Sequence, residues 1–493
     1  MNQAIFKACV FVLLTTATSF GQAAAPAKAE SARPPKLVLQ PCRTSGVEAG
    51  AKCGKYEVFE NRATKTGRKI SLSVMLLPAT GPNRQPDPFL YIPGGPGSSA
   101  TEDASYIAEA FARIRQQRDL LFIDQRGTGG SNPLDCDLFD PEDLQSYLGY
   151  FFPLESVRKC RKALEAKADL KLYTTSIAMD DFDEVRAALG YQQWNLFGAS
   201  YGTRAALVYL KRHPESVRTV TLHGVAPTDQ FMPSDFAQQA ERALQGVISE
   251  CVADEPCNKA YPNLRADTRA VFEQLKKGPV EVTVRVPPQN TAQTKIKLSR
   301  DLAAEAIRYM LYNSGVAPQI PWFINQAAQG NFTPLAEAAL RYRRGIVATG
   351  SNGMYLSVTC AEDLPWIKPG AAELLARDTF LGDYRLRQQR EACALWPRAT
   401  LESGYAEPTQ SSVPVLILTG QWDPVTPPAN GDRVAKSLSN SLHLVVPQGG
   451  HGFGGLEGLD CLEKLNTEFV EKGSVEGLDT SCLKQVKRKP FKL

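Results

Sequence analysis

Between the apolar run Trp194-Asn195-Leu196-Phe197 and a helical pattern from Thr203 to Leu210, the chain reads Gly198-Ala199-Ser200-Tyr201-Gly202. An apolar strand that passes so directly into a helix must turn sharply, and Gly-x-Ser-x-Gly sets a serine at the tip of that turn. The two glycines fit because a side chain at either place would collide with the adjoining strand or helix. A glycine-rich turn with an idle serine is the bland alternative. The pentapeptide is therefore judged by the partners the rest of the chain offers it.

The same pattern of an apolar strand broken by glycines recurs upstream. Phe89-Leu90-Tyr91-Ile92 ends in Pro93-Gly94-Gly95-Pro96-Gly97, and Leu120-Leu121-Phe122-Ile123 ends in Asp124-Gln125-Arg126-Gly127-Thr128-Gly129-Gly130-Ser131. Fully apolar strands separated by helical stretches predict a mostly parallel sheet with helices on both faces. In such sheets chemistry gathers at the carboxyl ends of the strands. Leu37 to Leu39, Tyr56 to Phe59 and Ile70 to Leu77 alternate instead, which predicts antiparallel strands at one edge. Val217 to Leu222 predicts another strand.

Beyond Ala226 the texture changes. Residues 228–405 carry mainly helical periodicity, and strand patterns resume at Val413 to Leu418 and Leu442 to Val446. The expected organisation is an α/β core in two parts, 36–227 and 406–472, with an inserted, mainly helical cap over its active edge at 228–405 and a C-terminal tail at 473–493. Within the tail the basic cluster Lys484, Lys487, Arg488, Lys489 and Lys492 reads as solvated rather than as a nucleic-acid patch, because the net charge of the whole chain is only +4.

Residues 1–25 read as a signal peptide, with Lys7, an apolar stretch from Ala8 to Leu14 and small residues near the expected cleavage point. The Ala/Pro/Lys-rich stretch 26–35 reads as a flexible leader. No later segment approaches the roughly twenty apolar residues of a membrane span. Export brings the protein into an oxidising compartment, periplasmic or extracellular. Cys9 leaves with the signal, so ten of the eleven cysteines remain. Paired in sequence order they give Cys42 with Cys53, Cys136 with Cys160, Cys251 with Cys257, Cys360 with Cys393, and Cys461 with Cys482. No Cys-x-x-Cys pair occurs and the chain has four histidines, so no metal site and no cofactor is expected. Gly450-x-Gly452-x-x-Gly455 spells a dinucleotide fingerprint, but no further βαβ unit follows it.

A serine hydroxyl becomes a nucleophile only when a base removes its proton and a carboxylate orients that base. His213 ends the elbow helix, where it answers the helix dipole. His443 opens a strand. His223 follows a strand end and is the runner-up. His451, in Gly449-Gly450-His451-Gly452 just past the last strand, is the expected base. Asp423 in Gly420-Gln421-Trp422-Asp423-Pro424 is the expected carboxylate, with Asp432 as its nearest rival. The order Ser200, Asp423, His451 is that of an α/β-hydrolase triad. Backbone N–H groups of Gly95 and Tyr201 are the candidate oxyanion donors.

Taken together, Gly94-Gly95-Pro96-Gly97, Asp124-Gln125-Arg126-Gly127 with Gly129 and Ser131, Gly198 to Thr203, Trp422-Asp423-Pro424 and Gly450-His451-Gly452 resemble the proline iminopeptidase and tripeptidyl aminopeptidase family of α/β-hydrolases. The resemblance covers residues 85–226 and 410–455 closely and the cap loosely. It implies a serine exopeptidase that acts on peptides with a free N-terminus, with Ser200, Asp423 and His451 as triad. Proline iminopeptidases usually open the first loop with His, where this chain has Pro93, as larger exported tripeptidyl-type members do. A secreted esterase or lipase would use the same triad, and a catalytically idle binding protein is the non-enzyme alternative. An aminopeptidase needs a carboxylate for the substrate ammonium. Glu362 and Asp363, in the cap beside Cys360, are the candidates.

Overall fold

The computed structural model describes residues 36–43, 46–47, 50–285 and 293–493. The signal peptide and leader expected over 1–35 lie outside the described residues. Nine strands form one sheet: β1 (Gln40–Pro41), β2 (Lys52–Phe59), β3 (Lys69–Leu77), β4 (Phe89–Ile92), β5 (Leu120–Ile123), β6 (Trp194–Ala199), β7 (Val217–His223) and, after the helical insertion, β10 (Val415–Gly420) and β11 (Ser441–Val446). The insertion contributes a separate antiparallel hairpin of β8 (Val280–Arg285) and β9 (Gln293–Leu298).

The order across the sheet is β1-β2-β3-β5-β4-β6-β7-β10-β11. The first three strands and the β3/β5 pair are antiparallel, and every pairing from β5 onward is parallel. β4, β5 and β10 are buried at every position, as expected of strands covered on both faces. Alternation divides β4 between two cores. Leu90 and Ile92 face a cluster with Leu121, Ile123 and Leu196, covered by helices Thr175–Leu189 and Tyr201–Arg212. Phe89 and Tyr91 face another with Phe122, Leu416 and Leu418, closed by the C-terminal helix Asp460–Lys472. Burial of this kind is worth about 25 cal/mol per Å² of apolar surface and is what holds the layers together.

The cap has its own core, where Leu244, Phe272, Ile307, Ile324 and Leu340 pack helices Phe236–Ala253, Leu264–Lys276, Arg300–Tyr312, Ile320–Ala328 and Thr333–Ala348 on the β8–β9 hairpin. Helices Asn352–Glu362 and Tyr384–Ala394 behave differently. Their Met354, Leu356, Val358, Ala392 and Cys393 join the sheet's own core. The Cys360–Cys393 disulfide fastens these two helices together, and the four other bridges also pair the cysteines in sequence order.

Two local expectations are corrected. Leu37 to Leu39 is not a strand: the Leu37 N–H donates to Ala188 O at the end of helix Thr175–Leu189, and pairing with β2 begins only at Gln40. The basic tail is not wholly solvated. Arg488 Nε lies 2.9 Å from Glu250 on the cap, its guanidinium covers the Phe491 ring, and Lys492 sits over Trp322.

Candidate active site

β6 runs into helix Tyr201–Arg212 through Ser200, which adopts φ 55° and ψ −122°. Such a backbone is costly for a non-glycine residue and persists only where its surroundings hold it. They do so here by close packing and by hydrogen bonds. A Cβ on Gly202 would overlap the carbonyl oxygens of Ile92 and Pro93, and one on Gly198 would overlap the carbonyl of Gly202. Ser200 N–H donates to His223 O (2.8 Å), while Ser200 O accepts from Thr203 N–H (2.9 Å) and from the Thr203 hydroxyl (2.5 Å).

Asp423 lies just past the carboxyl end of β10 and is fully buried. Its Oδ1 accepts the backbone N–H groups of Val425 and Thr426, both at 2.8 Å, and its Oδ2 accepts the Thr426 hydroxyl at 2.7 Å. The same Oδ2 meets His451 Nδ1 at 2.8 Å. Burial would raise the Asp423 pKa, but the His451 imidazole and the Thr426 donors hold it below the usual carboxylate range. The carboxylate therefore stays ionised and takes the Nδ1–H of His451. That tautomer leaves Nε2 with a free lone pair. Ser200, His451 and Gly95 line one cavity of about 460 Å³.

The other three histidines are engaged elsewhere. His223 is half-buried, stacks on Phe453 with ring centroids 4.2 Å apart, and donates from Nε2 to His451 O at 3.0 Å. Burial and the neighbouring His451 push its pKa down to about 4, so it is a neutral brace beneath the His451 loop. His443 pairs with Asp432 and His213 with Asp180, both at 2.9 Å. Asp432 is exposed and does not approach His451.

Gly95 has φ 112° in the loop after β4, and Tyr201 is the first residue of its helix, so the Tyr201 N–H has no carbonyl partner within that helix. Asp124 ties the Gly95 loop down: it accepts the Ser99 hydroxyl and the Thr101 N–H and hydroxyl, and also Gly130 N–H from its own loop, each at 2.9 Å. Gln125 Nε2 donates to the Tyr201 hydroxyl at 3.0 Å. Arg126, wholly buried, grips Asp181 at 2.6 and 2.9 Å. The Asp124-Gln125-Arg126 loop is thus a support for both candidate oxyanion donors, a role its sequence alone did not disclose.

Glu362 and Asp363 do not line the cavity. Both are fully buried. Glu362 accepts Thr175 N–H (2.6 Å), the Thr175 hydroxyl (2.7 Å) and the Tyr405 hydroxyl. Asp363 pairs with Arg204 at 2.8 Å and accepts Met232 N–H at 3.0 Å. The pair is engaged by Thr175, Tyr405, Arg204 and Met232 and stands outside the cavity lining. Cap residues that line the cavity include Arg308, Tyr309, Tyr312, Tyr355 and Arg385, with Phe151 beside them. On the opposite side of Ser200 and His451 a second cavity of about 640 Å³ opens among Tyr91, Phe111, Phe197, Phe453 and Leu462.

A family model described as alpha/beta hydrolase fold matches residues 87–454. The chain belongs to the α/β-hydrolase family. It is 25% identical to serine protease Hip1 of Mycobacterium tuberculosis over 90% of each chain. It is 24% identical to tripeptidyl aminopeptidase of Streptomyces coelicolor, over 89% of this chain and 84% of that one. A solved structure of proline iminopeptidase from Mycobacterium smegmatis aligns with 85% of this α/β-hydrolase and 98% of that chain, at 15% identity and a TM-score of 0.42. This α/β-hydrolase is a serine hydrolase.

Proposed function

We propose that the protein is an exported serine exopeptidase that releases residues or short peptides from the N-termini of peptides through an acyl-enzyme on Ser200. The observation that carries the reading is the convergence, in one cavity under the cap, of a serine on a strained elbow and a histidine held by a buried, ionised carboxylate. The Ser200 hydroxyl attacks the scissile carbonyl carbon while His451 Nε2 takes its proton. The oxyanion that forms is met by the N–H groups of Gly95 and Tyr201. When the C–N bond breaks, His451 returns that proton to the leaving amine, and water then hydrolyses the ester by the same route in reverse. Asp423 holds the imidazole and stabilises its cation.

A cavity of about 460 Å³ is the size of a small-molecule cleft, and admits a chain end rather than a folded polypeptide. The relatives named as a serine protease and a tripeptidyl aminopeptidase favour a peptide substrate and release from the amino end. Five disulfides favour an oxidising compartment, which agrees with the signal expected at the N-terminus. No helix among the described residues is long and apolar enough to cross a membrane.

The test is a rate panel of aminoacyl, prolyl and tripeptidyl arylamides beside short-chain nitrophenyl esters, with a fluorophosphonate label to report Ser200. Cleavage of free-amine peptides with loss of rate on N-acetylation is the expected result. Ester turnover with no peptide cleavage would overturn it.

A further inference from the structure

Two arginines line the catalytic cavity from the cap, Arg308 on helix Arg300–Tyr312 and Arg385 on helix Tyr384–Ala394. Arg308 is 1% exposed and Arg385 4%. Arg308 gives Nη2 to the Tyr312 hydroxyl at 2.6 Å and Nη1 to Glu305 Oε1 at 3.3 Å, while its Nε has no partner. Arg385 gives Nη2 to the Tyr355 hydroxyl at 3.3 Å, and neither Nε nor Nη1 has a hydrogen-bond partner, Nε lying 3.9 Å from Glu305 Oε1. Its guanidinium lies 3.5 Å from the centre of the Phe151 ring, and Arg308 lies 4.4 Å from that of Phe236, so each plane is fixed against an aromatic face. A third arginine, Arg343, stands behind them on Phe151 and is spent on the carbonyls of Tyr147 and Tyr150.

Among the described residues, Glu305 is the acid that ion-pairs with Arg308 and Arg385, at 3.3 and 3.9 Å. It is itself buried, and those two arginines keep it ionised against the opposing effect of burial. Asp235, held by Gln230, also acts on Arg308, so the three guanidinium cations face two carboxylates, and an excess of positive charge remains beside the cavity that Arg308 and Arg385 line. Uncompensated buried charge is strongly disfavoured unless something completes it, and an arginine with free N–H donors is best completed by a carboxylate.

We propose that Arg308 and Arg385 form a carboxylate-binding subsite in the cap half of the catalytic cavity, so that the enzyme selects peptides carrying an anionic group close to the cleaved bond. The carboxylate comes either from an aspartate or glutamate side chain among the first residues or from the free C-terminus of a short peptide. This rests on Ser200 being the nucleophile of the same cavity, and it adds to that reading the charge of the substrate. It also accounts for the cap presenting arginines to the cavity while Glu362 and Asp363 are turned away.

The experiment compares wild-type kcat/KM for free-amine tetrapeptides bearing Glu or Gln at each position in turn, and for the same neutral peptide as its C-terminal acid or amide. The expected result is a preference of about tenfold or more for the charged member of at least one pair, the size of one charged hydrogen bond. A Glu-over-Gln preference identifies a side chain as the source, and an acid-over-amide preference identifies the C-terminus. Ratios near one in every pair overturn the proposal. In Arg385→Gln and Arg308→Gln the ratio should collapse toward one, and a folded Arg385→Gln enzyme that keeps it also overturns the proposal. Should either variant fail to fold, Arg385→Lys and the wild-type ratios still decide. If no peptide or ester is turned over and Ser200 takes no fluorophosphonate, it is the nucleophile reading that fails. Calorimetric titration of the full-length protein with glutarate then tests the subsite alone, and absence of saturable binding at millimolar glutarate counts against it.

Discussion

Glu362→Gln is the substitution that most sharply separates a substrate-binding carboxylate from a structural one. In the folded protein Glu362 is wholly buried, and burial outweighs its donors at Thr175 and Tyr405, pushing its pKa up to about 7 from an ordinary 4.5. A folded-state pKa above the unfolded one means that the native protein holds the proton between those values. The resulting stability is fully present below about pH 4.5 and is lost as pH rises through about 7. With 1.36 kcal/mol per unit, that loss is about 3 kcal/mol by pH 8. Glutamine has the shape of the protonated acid. It keeps a carbonyl oxygen for Thr175 N–H and offers NH2 to the two hydroxyl oxygens, at a rearrangement cost of about 1 kcal/mol. The wild-type and variant proteins should therefore lie within about 1 kcal/mol of each other at pH 4.5, with the variant gaining about 3 kcal/mol relative to wild type by pH 8. Urea unfolding with the disulfides intact, at pH 4.5, 6 and 8, measures it as a difference between the two proteins, so that every other titrating group cancels. A difference that stays flat across this range, or moves toward wild type, refutes the reasoning. Because Glu362 reaches the site only through Thr175 and the Tyr201 hydroxyl, rates on peptides and on neutral esters should change together. A selective rise in KM for free-amine peptides would restore Glu362 to the substrate.

Ser200→Ala and His451→Ala should each lower kcat about 10⁴-fold or more, and Asp423→Asn should be milder but still severe; a residual above about a hundredth of wild type in either of the first two would exclude the triad. Asp124→Asn leaves donors from Ser99, Thr101 and Gly130 competing for fewer acceptor lone pairs, and should lower kcat more than it raises KM because it loosens the Gly95 loop; equal kcat in a folded variant would remove that loop from catalysis. Replacing Cys360 and Cys393 together by serine should cost about 4 kcal/mol, from the unfolded-state freedom of a 33-residue loop, and an unchanged urea midpoint would contradict it. Thiol titration of the denatured, unreduced mature protein should find no free cysteine.

What was legible in the chain was whatever is decided by neighbours in sequence. The elbow is such a case, since Gly198 and Gly202 are required by atoms a few residues away and by the strand paired with β6. Asp423 and His451 were legible for a related reason: each lies just beyond a strand of a parallel sheet, and the topology carries such positions to one edge. The cap was harder, because which of its charged residues meet water and which meet one another is fixed only by packing. Glu362 and Asp363 look from the sequence like an acidic turn beside a tethering cysteine, yet the apolar face of helix Asn352–Glu362 joins the core of the sheet and takes both with it. A signal for their burial was present on the other partner. Arg204 stands four residues after Ser200, among Ala205, Ala206 and Leu207, where a helix buried on nearly all sides must find its arginine a carboxylate. Arg308, flanked by Ile307 and Met310-Leu311, poses the same demand within the cap. There Glu305 meets it only in part, leaving Nε without a hydrogen-bond partner on a residue that lines the cavity holding Ser200.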